Sequence, residues 1–588
     1  MMINLDIARI FAEIAEILEI KGENTFKIRA YRRAAMTIES LTQDLKVIAE
    51  RGGVKELKKI PGVGDAIAKK IVEIVETGDC KRHLELRREV PPSLLELLAI
   101  PRVGPKTIAR LHAELGISSI EELEEASKSH KLERLPGLGT KVEENILKGI
   151  AQYRSYKGRV LLSKALPYAE SIVNELKKQK VVDIITIAGS LRRMRETVGD
   201  IDLLVVSNSP QAVMDAFTGL DGVEEIVAKG ETKSSIVLTG MDVDLRVVSA
   251  DSFGAAAHYF TGSKHHNIRI RELGVKNGLK INEYGIFRGD ERIGGKEEEE
   301  VFKSVGLAYI PPELREDSGE VEAAKAGRIP GLIEVSDLKG DLHVHTKWSD
   351  GKNSIAEMAD AAIALGYEYI AVADHSPAVG IAGGMTVEKI AERQVEIDKV
   401  NTRFEVEGIK FRVLSASEVD IKPDCSLDYP DVILKDLDVV VGAVHSKFSQ
   451  DRDTMTKRII TAMDNPNVDI IAHPTGRILG KREPYEVDME KLMQKAKDTG
   501  TILELNSFPN RLDLKDVHCR MAKDYGVLVA VSTDSHDAMQ MGTVIKYGVA
   551  TARRGWLEAK DVVNTREGLV RGSESSLDGI FKFASIKR

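Results

Sequence analysis

Histidines and carboxylates of the kind that bind metal ions recur through the second half of the sequence. The segment GDLHVHTKWSDG (340–351) holds two histidines one residue apart and an aspartate five positions after the second. Further candidates stand in ADHS, ASEVD, GAVHS, IAHPTG and STDSH, each at the end of a short apolar run. The nine candidate ligands are His343, His345, Asp350, His375, Glu418, His445, His473, Asp534 and His536. Imidazole and carboxylate donors suit Zn²⁺, Mn²⁺ or Fe²⁺, and nine donors exceed the needs of one ion, so the pattern predicts two or three divalent metals.

A second set of carboxylates lies earlier in the chain. Asp200 and Asp202 in GDIDLLVV alternate along a predicted strand, so both side chains point to one face. Asp244 lies on another predicted strand, and Ser190 and Arg193 in GSLRR are suited to bind phosphate oxygens. Converging carboxylates repel unless cations neutralise them, and two Mg²⁺ or Mn²⁺ ions can activate a hydroxyl and stabilise a departing pyrophosphate. The alternative is an edge strand with solvent-facing aspartates, because Asp-x-Asp alone is common.

The elements that must position the histidine series alternate regularly after residue 339. Short apolar strands such as GDLHVH, YIAVADH and VLVAVSTDSH are separated by segments of helical periodicity. These predicted helices cover 354–365, 386–406, 451–463, 488–498 and 515–525. Such alternation predicts a parallel sheet or barrel, in which the carboxyl ends of the strands converge on one face. A single histidine is more often an ordinary core or surface residue, but the repeated strand-end context favours one site.

The region around Asp200 has the pattern of a mixed α/β unit. Strands are predicted at 184–190, 200–206, 234–240 and 243–248, and helices at 163–179 and 209–219. Residues 311–338 are dominated by Pro, Gly and charged residues, which predicts a linker or an irregular connection.

Three stretches near the N-terminus repeat one plan. They are LKKIPGVGDAIAKKI (57–71), LLAIPRVGPKTIARL (97–111) and LERLPGLGTKVEENI (132–146). The plan predicts a helix, a tight glycine hairpin and a second helix whose free N–H groups can bind a backbone phosphate without reading sequence. It resembles the helix-hairpin-helix motif of DNA repair proteins, with candidate DNA-binding glycines at Gly62, Gly64, Gly104, Gly137 and Gly139. Arg102 replaces the first glycine of the second copy, which predicts weaker binding there; the alternative is three ordinary helical turns.

The composition is that of a soluble protein with several domains. The chain has 588 residues, 43% hydrophobic and 30% charged, and its net charge of −8 argues against coating DNA by bulk charge. No apolar run approaches the roughly 20 residues of a membrane span, and the N-terminal segment is acidic and helix-periodic, unlike a signal peptide. Cys80, Cys425 and Cys519 are widely spaced and predict no disulfide framework, which suits a reducing cytoplasm.

Four words in a fixed order carry a family resemblance: GSLRRMRETVGDID, VDLRVV, YFTGSKHHNIRIREL and INEYGI. They resemble family X DNA polymerases, the group that contains DNA polymerase beta, over about residues 1–315. The resemblance implies that Asp200, Asp202 and Asp244 hold two catalytic metals. It also implies nucleotide contacts for Ser190, Arg193, Gly199, Tyr259, Phe260, Gly262, Asn267 and Arg271. Val198 replaces a hydroxyl residue of eukaryotic relatives, and we expect a modest effect on triphosphate binding.

The same family can carry a lyase activity, in which a lysine forms a Schiff base with a 5′ sugar phosphate. The resemblance places Lys70 at the nucleophile position and Lys27 at a nearby phosphate-binding position. Ala66 replaces another lysine of the eukaryotic pattern, and a Schiff-base lysine needs neighbours that lower its pKa. We therefore favour the interpretation that Lys70 is a solvated helix lysine that contacts DNA.

The nine ligand positions, with the words GDLHVH, ADH and DSH, resemble the polymerase and histidinol phosphatase (PHP) domain over about 339–575. The resemblance implies phosphoester hydrolysis by metal-activated water, and in bacterial and archaeal family X polymerases 3′–5′ exonuclease activity. Some relatives also cleave abasic sites or remove 3′-phosphates. Arg477, Lys447 and Lys481 are candidate phosphate contacts, with an ordinary solvated charge as the favoured alternative for each.

Together these patterns predict a multidomain chain: a helical helix-hairpin-helix region, an α/β nucleotidyltransferase palm with a small thumb-like subdomain, and a C-terminal β/α barrel. The predicted domains are 1–90 (helical, lyase-like, first hairpin), 91–155 (two further hairpins), 156–250 (palm), 251–315 (nascent base pair), 316–338 (linker) and 339–575 (PHP).

The predicted function is template-directed repair synthesis that fills short gaps, combined with trimming of 3′ ends, in base excision repair. We expect gapped or primer–template DNA and deoxynucleoside triphosphates as partners, and a cytoplasmic monomer with no membrane partner. One rival is hydrolysis of small phosphate monoesters by the C-terminal domain. Another is a non-catalytic scaffold for DNA ends, against which the clusters of like charge argue.

Overall fold

The computed structural model describes residues 4–39, 45–60, 62–100, 103–135, 138–156 and 158–566, of which the first part is helical. Its described α-helices are α1 (Asn4–Ile20), α2 (Thr25–Glu39), α3 (Leu45–Leu57), α4 (Asp65–Thr77), α5 (Lys81–Glu89), α6 (Pro92–Glu96), α7 (Pro105–Leu115), α8 (Ile120–Lys128) and α9 (Thr140–Tyr156). Helix α1 forms because Ile7, Phe11 and Ile14 recur at helical spacing and are all buried. Phe11 stacks on Tyr31 of α2, which joins the two helices. Within the described ranges, no helix combines the length and the hydropathy of a membrane span.

A five-stranded sheet, here called the palm sheet, follows the helical region. The elements are β1 (Val160–Leu161), α10 (Leu162–Lys177), β2 (Ile184–Ile187), α11 (Gly189–Arg192), β3 (Thr197–Val198), β4 (Asp200–Val206), α12 (Pro210–Thr218), β5 (Val223–Lys229), β6 (Lys233–Leu238) and β7 (Met241–Val248). The palm sheet has the order β2-β4-β7-β6-β5, in which β4 and β7 are the parallel pair. Buried and accessible residues alternate along β7, so one face of the sheet covers the core.

A small α/β unit, here called the thumb, comes next. Its elements are α13 (Phe253–Thr261), α14 (Lys264–Lys276), β8 (Lys280–Asn282), β9 (Gly285–Arg288), β10 (Glu291–Gly294), α15 (Glu298–Ser304) and α16 (Glu320–Lys325). Helix α16 lies inside the predicted linker 316–338. The Glu320 carboxylate of that segment is buried 2.7 Å from His266 Nδ1, so the connection is irregular but packed against the thumb.

The last part is a parallel barrel. Its strands are β11 (Gly340–Val344), β12 (Tyr369–Val372), β13 (Arg412–Asp420), β14 (Val439–Ala443), β15 (Ile470–Ile471), β16 (Ile502–Asn506) and β17 (Val529–Ser532). Its helices are α17 (Ile355–Ala364), α18 (Val387–Glu407), α19 (Asp431–Leu434), α20 (Arg452–Asp464), α21 (Met489–Thr499), α22 (Asp516–Tyr525) and α23 (Ala538–Arg554). The seven strands are parallel and follow one another in chain order. Apolar side chains such as Leu342, Ala371 and Val441 are buried together in one cluster of strand residues.

The barrel closes between its first and last strands. The backbone N–H of His345 donates to the carbonyl of Ser535 at 2.9 Å. The Asn564 side chain donates to the carbonyls of Gly340 and Val531, each at 2.8 Å, and so bridges β11 and β17. The sheet therefore brings the first histidine pair beside the last ligand motif.

The predicted fold class is confirmed. The five predicted barrel helices are α17, α18, α20, α21 and α22, and each end lies within one residue of the prediction. Side-chain caps explain this agreement: Ser354 accepts from Glu357 N, and Asp451 accepts from Thr454 N. The end of the predicted last domain, residues 567–575, lies outside the described residues.

The barrel packs directly on the palm sheet and on the thumb. Leu479, Leu512 and Tyr547 belong to the buried cluster of the palm core. Trp556 belongs to the thumb cluster. These contacts unite the parts through apolar burial as well as through ion pairs.

Candidate active sites

The predicted nucleotide-binding residues surround one cavity of about 650 Å³ between the palm sheet and the thumb. All eight line it: Ser190, Arg193, Gly199, Tyr259, Phe260, Gly262, Asn267 and Arg271. Asp200 and Asp202 line the same cavity. Residues from α11, β4, α13 and α14 therefore meet at the cavity, where the sequence analysis predicts that a triphosphate binds.

The three predicted catalytic carboxylates lie on the parallel pair of strands. Asp202 on β4 is the register partner of Asp244 on β7, so the two carboxylates are neighbours on one face. Asp244 accepts a hydrogen bond from Ser235 Oγ at 2.5 Å and pairs with Lys233 Nζ at 2.9 Å. An ammonium group thus stands beside the carboxylates in a position that a metal ion would compete for.

The electrostatics of this face fit a cation site. Burial, with the charges of Asp200 and Asp244, raises the pKa of Asp202 to about 7. Burial also tends to raise the pKa of Asp244, but the bonds from Ser235 and Lys233 lower it. A divalent cation would relieve the repulsion between these carboxylates. Carboxylate oxygens are hard donors that suit Mg²⁺ or Mn²⁺.

Glycine is required next to this face. Gly189 has φ +63°, and an added Cβ would lie 2.0 Å from Asp202 Oδ2. Only a residue without a side chain lets α11 begin so close to the carboxylate. Ser190 and Arg193 reach the cavity from this short helix and the residue that ends it.

Arg193 is held in place at the cavity by two acceptors. Its Nε donates to Glu316 at 3.0 Å, and its Nη1 donates to the Thr261 carbonyl at 2.5 Å. Asn267 Nδ2 donates to the Tyr259 carbonyl at 2.7 Å, while its buried Oδ1 has no hydrogen-bond partner among the described residues. Both side chains are therefore fixed before any ligand arrives.

Besides Gly189, three residues that the sequence patterns did not single out line the cavity: Arg159, Thr261 and Lys264. Arg159 is anchored by bonds from Nε to Thr197 Oγ1 at 3.0 Å and from Nη2 to the Thr197 carbonyl at 2.5 Å. Thr261 and Lys264 lie inside the word YFTGSKHHN, which offered a signal for both. Arg159 precedes a two-residue strand and offered none.

The barrel gathers the nine predicted ligands into one cluster at the carboxyl ends of its strands. The structure contains three groups of residues in which every donor atom lies within 4.8 Å of the others in its group. The first group is His345, Asp350, His375 and His536, the second is His343, His345 and Asp534, and the third is His375, Glu418 and His445. His345 and His375 each belong to two groups, so the groups are continuous. His473 joins through Nε2, which lies 2.9 Å from Glu418 Oε1.

Glu418 is central to this cluster. Its carboxylate lies 2.8 Å from His375 Nδ1 and 3.1 Å from His445 Nε2. Burial alone would raise the pKa of Glu418, but His445, His375 and His343 lower it well below its usual range. Burial alone would lower the pKa of His375, but Glu418 and Asp350 raise it to about 10. In the absence of metal the imidazoles and carboxylates neutralise one another.

The donor set fits divalent metals. The Nδ1 atoms of His345 and His473 are buried and have no hydrogen-bond partner among the described residues. Buried ring nitrogens without partners are costly, and a metal ion satisfies them. Nitrogen and oxygen donors in this mixture suit Zn²⁺, Mn²⁺ or Fe²⁺.

Glu504 supports the cluster and was missed by the sequence patterns. Its Oε1 lies 2.7 Å from His343 Nδ1, and its Oε2 accepts from His473 N at 2.7 Å. A carboxylate behind a ligating histidine fixes the ring and its tautomer. The signal was present in ILELNS, where a charged residue lies within a strand whose residues are all buried.

The three candidate phosphate contacts have separate surroundings. Arg477 is 5% exposed and pairs with Glu196 of the palm region at 2.8 Å, so its interpretation as a solvated charge is wrong. It also donates to the carbonyls of Arg511 and Leu512. Lys447 and Lys481 are both exposed.

A near full-length relative decides the family. The chain is 39% identical over 566 residues to the DNA polymerase/3'-5' exonuclease PolX of Bacillus subtilis, covering 95% of this chain and 97% of that protein. The chain belongs to the family X DNA polymerases. DNA polymerase lambda of Rattus norvegicus is 24% identical over 345 residues, or 53% of this chain and 56% of that protein.

Family descriptions match four segments of this family X chain. They are a helix-hairpin-helix domain at 2–80, a SAM-like helix-hairpin-helix tandem at 94–152, a DNA polymerase beta thumb at 256–316 and a PHP domain at 341–507. The barrel region also resembles a probable phosphatase of Thermoanaerobacter sp. strain X514. That match is 31% identical over 242 residues, 39% of this chain and 92% of that protein.

The hairpin glycines of this family X chain stand at helix starts. Gly64 and Gly104 cap α4 and α7, and Gly139 directly precedes α9. A Cβ at any of the three would meet no described atom within 4 Å, so these helix starts are open to a ligand. Gly62 has φ +79°, which supports the tight turn, and Gly137 lies outside the described residues.

The lyase candidate lies on α4. Lys70 Nζ is 3.3 Å from the Ala66 carbonyl and 5.9 Å from the centre of the Tyr31 ring. Lys27 is exposed and lies 3.5 Å from Glu23. Val198, where the sequence resemblance leads us to expect a hydroxyl residue in eukaryotic relatives, is buried in the palm core.

Proposed function

We propose that this family X polymerase fills short gaps in DNA by template-directed synthesis and trims 3′ ends at the barrel, in base excision repair. One observation carries the synthetic half: eight predicted nucleotide contacts and two acidic residues share a single cavity. We propose the domain division predicted from the sequence, with hairpin glycines that bind the backbone on either side of a gap. The free cysteines suit a cytoplasmic location, and we propose that the chain acts as a monomer.

At the palm cavity, the residues of the chain would bind and orient the substrates. Asp200, Asp202 and Asp244 would hold Mg²⁺ or Mn²⁺, which supplies charge stabilisation for phosphoryl transfer. Arg193 and Ser190 would bind triphosphate oxygens, because Arg193 is already held by Glu316 and Thr261 with one nitrogen left for phosphate. The neighbouring rings of Tyr259 and Phe260 would form the wall against the sugar.

At the barrel, the nine-donor cluster would hold two or three divalent ions, which supply an activated water and charge stabilisation for phosphoester hydrolysis. Glu504 would keep His343 in one tautomer. The hydrolysis would convert a mismatched or damaged 3′ end into a terminus that the palm can extend. Abasic-site cleavage and 3′-phosphate removal are further reactions open to this site, while we assign no lyase role to Lys70.

A second candidate for the barrel is hydrolysis of small phosphate monoesters. The observation that favours it is the match to a protein named a probable phosphatase, 92% of whose length is covered. Trimming of labelled DNA in the presence of a small phosphate monoester separates the two. Strong inhibition by the monoester, together with its rapid turnover, would favour the second candidate.

The main experiment uses a labelled primer at a one-nucleotide gap, with Mg²⁺ or Mn²⁺, with and without nucleotides. Asp200→Ala/Asp202→Ala should lose extension and keep trimming. His343→Ala/His345→Ala should lose trimming and keep extension. Trimming that survives loss of both histidines would contradict the assignment of the exonuclease to the barrel.

A further inference from the structure

Helix α23 of the barrel ends in two arginines that cross to the polymerase half. Arg554 Nη1 donates to the carbonyl of Arg193 at 2.9 Å and to Glu316 Oε1 at 3.0 Å. Its Nε and Nη2 donate to Asp516 on α22 at 3.0 and 2.7 Å. The Arg554 side chain is only 4% exposed, so this network lies inside the interface.

Arg193 and Arg554 share one carboxylate. Glu316 Oε1 accepts from Arg193 Nε and from Arg554 Nη1, each at 3.0 Å. Burial raises the pKa of Glu316, but Arg193, Arg554 and Arg195 lower it, so the carboxylate stays ionised between them. Arg554 therefore touches both the backbone of Arg193 and the acceptor that orients its guanidinium.

Resting on the proposed function, we propose that Arg554 is a positioning residue for Arg193, so that the barrel domain completes the triphosphate-binding side of the palm cavity. Without Arg554, the Arg193 carbonyl loses a donor, and Glu316 keeps only Arg193 at 3.0 Å and Arg195 at 3.7 Å as counter-charges. Glu316 then draws Arg193 more strongly, and the guanidinium leaves the position that faces the cavity. Fixing such a group before binding strengthens ligand binding, because less freedom is lost on association.

The chain offers a matched control one residue away. Arg553 donates from Nε to Glu313 at 2.8 Å and from Nη1 to the Ile333 carbonyl at 3.0 Å. It also pairs with Glu334. Arg553 thus makes polar contacts from the same helix across the same interface, but none of its described bonds reaches Arg193 or Glu316.

The test is single-nucleotide insertion at a gap in Mg²⁺, with KM for the nucleotide and kcat measured separately. Arg554→Ala should raise KM about tenfold with kcat changed by less than about twofold, since it removes charged hydrogen bonds that act on ground-state binding. Arg553→Ala should leave both constants near those of the unaltered chain. Arg554 also donates to the Glu313 carbonyl at 3.5 Å. Arg554→Lys should be intermediate, because a single ammonium cannot serve four acceptor groups with the geometry of the guanidinium fork.

A double variant separates positioning from general stability. If Arg554 acts through Arg193, Arg193→Ala/Arg554→Ala should have the same KM as Arg193→Ala alone. Three results would overturn the inference. The first is a double variant whose KM increase is the product of the two single increases. The others are an unchanged KM in Arg554→Ala and an equal KM rise in Arg553→Ala. Trimming activity and thermal unfolding report whether each variant is folded. If Arg554→Ala is not folded, the comparison is made with Arg554→Lys and with Arg193→Ala/Arg554→Lys instead.

Failure of the two proposals is distinguishable. An unaltered chain that does not extend the primer contradicts the proposed function. An unaltered chain that extends it, with Arg554→Ala at normal KM, contradicts only the inference about Arg554.

Discussion

The palm and barrel sites balance their charge in different ways. In the palm, Asp200 and Asp202 line a cavity, and their neighbour Asp244 pairs with Lys233. In the barrel, Glu418 is surrounded by imidazoles and is 1% exposed. The barrel ligands are held together by contacts between imidazoles and carboxylates, and buried ring nitrogens of His345 and His473 are left for metal. The palm carboxylates repel one another until cations arrive. We therefore expect metals to remain with the barrel and to reach the palm together with the nucleotide.

The largest effect should come from the residue at the centre of the barrel cluster. Glu418→Ala removes the carboxylate that lies beside several imidazoles, so bound metal should be lost and trimming should fall by about 10³-fold or more. Metal analysis of the purified protein and trimming of a labelled primer measure this, while extension should persist. A variant that retains its full metal content would show that the barrel site does not depend on this carboxylate.

Asp202 sharpens the comparison through pH. Its pKa is raised from 3.8 to about 7 in the folded protein without metal. Between these two values the carboxyl is protonated in the folded protein but ionised in the unfolded chain. The contribution of Asp202 to the free energy of unfolding should fall by about 3 kcal/mol as pH rises from about 4 to about 7.

Thermal unfolding in a chelator tests this sign. Asp202→Asn should melt above the unaltered chain at pH 8, and the difference should shrink at pH 5. Asp290→Asn, at an exposed position of the thumb away from the palm carboxylates, is the control. Equal melting of Asp202→Asn and the unaltered chain at pH 8 would contradict the repulsion assigned to the palm.

Glu504→Gln asks how much the barrel relies on a residue behind its ligands. The amide keeps the shape but weakens the partner of His343 Nδ1, so metal affinity should fall about thirtyfold. Metal titration followed by trimming measures the change. Glu483→Gln, at an exposed position of the same domain, serves as control, and equal affinity in both variants would remove Glu504 from the site.

The smallest effect should come from Lys233→Ala. This lysine pairs with Asp244 but is 42% exposed, so water weakens the pair. Its removal should strengthen apparent Mg²⁺ affinity in extension by about threefold, since a competing cation is lost. Lys229→Ala, which breaks a surface pair with Asp215, should leave that affinity unchanged. Weaker Mg²⁺ binding in Lys233→Ala would mean that the lysine assists the metals.

Sequence patterns predicted the elements that obey local rules. Four of the five predicted barrel helices, all but α22, have side-chain caps at their first turn, so their starts were predictable. Strand β5 was missed because six of its seven residues are exposed and it lacks an apolar alternation. Helix α23 was missed as well, although it carries Arg554.

The ligand residues were predictable because strand ends of a parallel sheet converge. The residues that hold the site residues in place could not be predicted. Glu504 contacts His343 from 161 positions away, and Arg554 contacts Arg193 from 361 positions away. Such contacts depend on how the parts pack, and no local period encodes that packing.

The Asn564 bridge between β11 and β17 bears on the order of events during synthesis. A chain made from its N-terminus exposes every residue of the nucleotide cavity before residue 564 leaves the ribosome. Domains generally fold as they emerge, so the synthetic half can form first. Asn564, which links the first and last barrel strands, is among the last described residues to be synthesised. The residues that line the nucleotide cavity are therefore synthesised before the residue that links the first and last barrel strands, although the palm core is completed only when Leu479, Leu512 and Tyr547 have followed.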